Sequence, residues 1–122
     1  MKLKLFGLLL LLTGSALADN LSLTPALKQQ ISSAAKAFTG QPCLENYIAK
    51  RKRVPSTELA RLYVQSGQQV TRQPGFKISR EALSPDGLTY KFSGVSAGRN
   101  TFMLTSYSAA SASIYYYICD LK

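Results

Sequence analysis

Between residues 76 and 119 the chain breaks into short stretches of alternating apolar and polar residues parted by turn sequences. No other feature constrains the fold as strongly. Residues 76–78 lead to Ser84-Pro85-Asp86-Gly87, a strong turn. Leu88, Tyr90 and Phe92 then alternate with Thr89, Lys91 and Ser93. After a second turn at Ser96-Ala97-Gly98-Arg99-Asn100, Phe102, Leu104 and Ser106 alternate with Thr101, Met103 and Thr105. A bend of small residues, 108–113, opens into Ile114-Tyr115-Tyr116-Tyr117-Ile118-Cys119. Regular short spacing of this kind predicts an antiparallel meander of about four strands.

A meander needs an apolar cover, and residues 25–38 supply one. Thr24-Pro25 reads as an N-cap followed by proline at the first helical position. Leu27, Ile31, Ala34, Ala35 and Phe38 recur at helical spacing, and Gly40 and Pro42 end the run. The expected fold is therefore α+β: an N-terminal amphipathic helix packed on one face of the meander. Between these parts the pattern is weaker. Leu44, Tyr47 and Ile48 are spaced to form one face of a short helix within 42–50. In 58–65, Leu59, Leu62 and Tyr63 favour a helix that starts at Glu58 and stops at Gly67, while the alternation of Ala60, Leu62 and Val64 leaves a strand open.

The first 18 residues read as an export leader. Lys2 and Lys4 precede a short apolar core, and Ala16-Leu17-Ala18 is a small-x-small cleavage site. About ten apolar residues are too few for a permanent span, which needs roughly 20. The expectation is a signal peptide at 1–18, a single exported domain at 19–122 with no transmembrane anchor after cleavage, and a periplasmic location. Export in turn settles the cysteines. Cys43 and Cys119 have only each other in an oxidising compartment, which predicts one disulfide tying the first third of the domain to its last strand.

The catalytic inventory is thin. Histidine is absent, so neither Ser-His nor Cys-His catalysis nor an imidazole metal ligand is available. Six scattered acids form no paired-carboxylate or calcium motif, and no phosphate loop occurs. Ser33-Ala34-Ala35-Lys36 matches the Ser-x-x-Lys spacing, but no Ser-Asp-Asn or Lys-Thr-Gly element accompanies it. The expectation is a protein without a cofactor or enzymatic activity.

Two features point to contact instead. Loss of the leader leaves 13 Lys and Arg against 6 Asp and Glu, and Lys50, Arg51, Lys52 and Arg53 place four cations in succession. Such a run either meets a polyanion, DNA or envelope glycolipid for an exported protein, or is a solvated loop. It lacks interleaved aromatics. Tyr115, Tyr116 and Tyr117 form the second feature. In a strand, Tyr115, Tyr117 and Cys119 share one face, and Ile114, Tyr116 and Ile118 the other. One face then packs on the helix and the other is a candidate protein contact. At a sheet edge the strand would also offer backbone pairing to a partner.

Helix 25–38, strands over 76–119 and the pair Cys43 and Cys119 together resemble, in layout, the globular region of type IV pilins. That family places an amphipathic helix on an antiparallel meander, with a late cysteine tied to the body. Pilins carry a prepilin peptidase site before a long apolar helix, whereas Ala16-Leu17-Ala18 is an ordinary export signal. The likeness therefore runs to the small periplasmic proteins that assist type IV pilus biogenesis or stability. It implies a non-enzymatic accessory whose partner is an envelope or pilus-assembly protein. The alternatives are an exported module for an anionic ligand and a small hydrolase inhibitor.

Overall fold

The computed structural model describes residues 18–122. All but the last residue of the leader read at 1–18 lies outside the described residues. Among these the elements run β1 Asp19–Asn20, α1 Pro25–Thr39, β2 Glu45–Arg53, α2 Thr57–Val70, β3 Phe76–Leu83, β4 Thr89–Ser96, β5 Arg99–Ser108 and β6 Ser113–Asp120. The strands form one sheet in the order β1-β2-β6-β5-β4-β3, with every neighbouring pair antiparallel. The meander foreseen from the turns is β3 to β6. Six strands are present rather than about four, because β2 adds to the far side of β6 and the two-residue β1 adds to β2.

Strand β2 corrects the short helix read at 42–50, and it overturns the solvated loop, one of the two readings of the basic run. Local spacing there suits a helix, but pairing with β6 decides otherwise. Ala49 stands opposite Tyr117 and Ile48 opposite Ile118, so both faces of β2 continue those of β6. The register slips between Glu45 and Ile48, where Asn46 takes φ 56°. One consequence is that β6 lies inside the sheet, between β2 and β5. The edge pairing considered for the tyrosine strand is thus excluded, since its backbone bonds on both sides are used.

Local chemistry accounts for both helices. In α1 the Thr24 hydroxyl accepts from the Leu27 amide at 3.1 Å, Pro25 sits at the start, and Gly40 closes the end at φ 83°. In α2 the Ser56 hydroxyl accepts from the Leu59 amide at 3.2 Å, with Glu58 in the first turn. The helix option for 58–65 therefore holds, but α2 continues through Gly67 to Val70. Gly67 does not terminate it; a Cβ there would lie 3.4 Å from the Thr105 hydroxyl oxygen, so the helix passes close over β5.

The two helices lie on opposite faces of the sheet. Phe102 opposite Cys119 and Leu104 opposite Tyr117 face α1, whose Ile31 and Ala35 are fully buried against them. Met103 opposite Ile118 and Thr105 opposite Tyr116 face the other way. There Ala60 of α2 packs with Val54 and Ile114, and Val64 packs with Tyr90 and Phe92. One helix per face replaces the single covering helix of the sequence pattern. Complete burial of side chains such as Phe92, Phe102, Ile31 and Ile114 is worth about 1.5–3 kcal/mol each before entropy is charged.

Two crosslinks close the arrangement. Cys43 and Cys119 form the expected disulfide, with Cα atoms 5.7 Å apart, fastening the segment after α1 to the buried end of β6. On the other face, Arg72 just past α2 grips Glu81 of β3 through two bonds of 2.8 and 2.7 Å. The Tyr90 hydroxyl donates to the same carboxylate at 2.8 Å and lies 2.9 Å from the Thr71 hydroxyl.

Candidate functional site

The two sequence features that pointed to contact are brought side by side. Antiparallel pairing of β2 with β6 sets Lys50 opposite Tyr116, Arg51 opposite Tyr115, Lys52 opposite Ile114 and Arg53 opposite Ser113. Opposed side chains in such a pair have Cβ atoms about 4.5–5.5 Å apart. The aromatics that the basic run lacks in sequence are therefore supplied by its neighbouring strand. The pleat also divides the run: Arg51 and Arg53 point to the α1 face, Lys50 and Lys52 to the α2 face.

On the α1 face, Tyr117 is only 9% exposed and belongs to the core with Ile31 and Phe102. Tyr115 is half-buried beside it, with ring centroids 6.1 Å apart and its hydroxyl 3.0 Å from that of Ser111. The Arg51 guanidinium donates from Nε to the Ser113 hydroxyl at 2.9 Å, which ties the cation to β6. Lys28 of α1 holds its ammonium 5.6 Å from the centre of the Tyr47 ring. So the tyrosine run is mostly packing on this face, and the cations border it.

On the α2 face the ammonium of Lys52 lies 5.8 Å from the centre of the Tyr63 ring. Tyr63 and Tyr116 meet here, and burial pushes the Tyr116 phenol up to about 12. Beneath them an apolar cavity of about 120 Å³ separates α2 from the sheet, lined by Tyr63, Gly67, Val70, Met103, Tyr116 and Ile118. Ile48, opposite Ile118, is 43% exposed on its β2 side. Tyr63, Tyr47, Lys28 and Ile48 were not singled out as site residues from sequence. The stripe that made Tyr63 helical gave no sign of which strand it would meet.

The cations of β2 carry no acidic counterpart. The two ion pairs among the described residues are Arg72 with Glu81 and Arg99 with Asp120. Asp19 stands opposite Arg51 in register without forming a third. Elsewhere the chemistry is sparse. Ser33 and Lys36 are both exposed on α1. No group of three metal-ligating side chains occurs among the described residues, and both described cysteines are in the disulfide. A second, polar hollow of about 230 Å³ lies beside the bulge of β3, between Thr39, Ser79, Ser93 and Asn100. No described helix is long and apolar enough to cross a membrane.

What the fold and surface define is an α+β domain, crosslinked by one disulfide, with a basic and aromatic strand pair. Comparison with protein-family models, with curated proteins and with solved structures finds no match to the chain.

Proposed function

We propose that this protein is exported and acts by contact rather than catalysis, as an accessory to a surface assembly, the type IV pilus being the one its layout resembles. The observation that carries the contact reading is the pairing of Lys50, Arg51, Lys52 and Arg53 with the tyrosine strand, which places unneutralised cations beside aromatic rings on both faces of β2–β6. Aromatic side chains and arginine are enriched at protein contact surfaces. The disulfide is in keeping with an oxidising compartment. The layout departs from the pilin pattern in one respect, since α2 covers the second face of the sheet.

The test is a deletion strain scored for surface pili by electron microscopy, with complementation by the wild type and by the four-position Gln variant of residues 50–53. Loss of pili restored by the wild type but not by a folded variant supports the proposal. Unchanged piliation in the deletion strain overturns it.

Four cations on one strand favour a second reading, an exported module for a polyanion such as DNA or envelope glycolipid. Salt-dependent retention on DNA or lipopolysaccharide in the absence of a pilus phenotype would select it.

A further inference from the structure

The cavity under α2 has walls of unequal character. Its walls include Tyr63, Gly67 and Val70 from α2, with Met103, Tyr116 and Ile118 from the sheet. The polar side chains in the lining are Ser66, whose hydroxyl donates to the Leu62 carbonyl at 2.9 Å, and Thr105; the rest of the wall is apolar or aromatic. At about 120 Å³ it is comparable to the roughly 150 Å³ apolar cavity that stays dry and takes up a benzene ring. That is room for the last few carbons of an aliphatic chain.

The mouth has the opposite character. Ile48, Lys50 and Lys52 point to this face from β2, opposite Ile118, Tyr116 and Ile114. Two of those three opposed residues line the cavity, and the Lys52 ammonium lies over Tyr63, which lines it too. An apolar slot with two lysines on the neighbouring strand, on the same face of the sheet, matches a molecule with an apolar tail and a compact anionic head. Both are point charges that a phosphate oxygen meets from any direction; the two arginines of the run point to the other face.

We infer that the α2 face of β2–β6 is a binding site for a single acyl chain bearing a phosphate headgroup, with the chain end between α2 and the sheet and the phosphate on Lys50 and Lys52. The inference rests on the contact reading of β2–β6 and names the ligand class of one face of it. Phosphate-headed acyl chains are constituents of an envelope, which is where an exported protein would meet them.

The experiment is calorimetric titration of the purified protein with decanoyl lysophosphatidic acid below its micelle-forming concentration. Monodecanoylglycerol and glycerol 3-phosphate serve as the headless and tailless controls. Saturable binding of the lysophosphatidic acid is expected, with both controls at least tenfold weaker. Lys50→Gln with Lys52→Gln should weaken it on the order of tenfold and flatten its salt dependence. Ser66→Leu, which adds bulk beside the cavity, should abolish it with the helical signal intact. Should that variant fail to fold, methyl resonances of Val70, Met103 and Ile118 in the wild type give the same answer, because the ligand must shift them. Absence of binding, equal binding of monodecanoylglycerol, unmoved methyl resonances, or capture of an acidic aromatic peptide in place of the amphiphile each overturn the inference. None of these outcomes touches the deletion phenotype, so the ligand class and the assembly role fail separately.

Discussion

Lys50 stands directly opposite Tyr116 across β2 and β6, and one step along Arg51 stands opposite Tyr115. Adjacent residues of a strand point to opposite faces, so these two pairs look in opposite directions. A basic run that looks like a single charge patch in sequence is two half-patches, each with its own tyrosine and its own helix. The lysine half borders an apolar cavity; the arginine half borders the disulfide-tied core.

The halves should therefore separate experimentally. Replacing all four cations with Gln should flatten the salt dependence of retention on an immobilised polyanion, and the two-lysine and two-arginine variants should each remove about half of the slope. Stability should change by less than about 1 kcal/mol for each cation replaced, because none of the four forms an ion pair and each is at least partly solvated. Stepwise salt elution with parallel urea unfolding checks both statements. A slope carried wholly by one pair would show that only one face is in contact.

Tyr117 should behave as core. Tyr117→Ala removes a ring packed against Ile31 and Phe102 and should cost about 3–5 kcal/mol in urea unfolding. Tyr115→Ala, on a half-buried neighbour, should cost clearly less. Equal losses would mean that the two rings are equally enclosed.

Reduction or a Cys43→Ser, Cys119→Ser double replacement should lower stability by about 4 kcal/mol on the chain-entropy estimate, since the bridge spans a sequence separation of 76. Denaturant midpoints with and without reductant measure it. A loss below about 1 kcal/mol would show that the reduced unfolded chain is already restrained.

Acid should loosen the hold of α2 on β3. The bond from Arg72, aided by the Tyr90 hydroxyl, holds the Glu81 carboxyl below its ordinary value of 4.5. A carboxylate lowered on folding stabilises the native state above its unfolded pKa, and that contribution fades as pH falls through the lower folded value. Wild-type stability should thus decline as pH drops below 4.5, and Glu81→Gln should remove part of that slope. Thermal unfolding of both proteins over that range is the measurement. Identical slopes would assign the acid sensitivity to other groups.

Gly94 should tolerate no side chain. It lies opposite Ile78 at the bulge of β3, and a Cβ there would collide with the carbonyl oxygen of Lys77. Because that obstacle is backbone, Gly94→Ala should destabilise the protein by about 1–3 kcal/mol and weaken pairing of β3. Hydrogen exchange at residues 76–83 would show faster exchange there than in β5. Wild-type exchange in the variant would mean that the bulge moves aside.

Much of this architecture is legible along the chain. Thr24-Pro25, the stripe from Leu27 to Phe38 and Gly40 define α1 because capping and amphipathicity are local. Ser84-Pro85-Asp86-Gly87 and Ser96-Ala97-Gly98 announce hairpins for the same reason, and the pairing of Cys43 with Cys119 follows from there being two. Residues 45–53 show where local signals end. Their spacing suits a helix, yet they form a strand because β6 offers Tyr117 and Ile118 as partners for Ala49 and Ile48. Strand pairing is a non-local interaction, with partners that sequence spacing does not encode. It alone decided that β6 is interior, that α1 and α2 take opposite faces, and that four consecutive cations are shared between them. The sequence by itself determined which residues were available for contact; the sheet determined which of them share a surface.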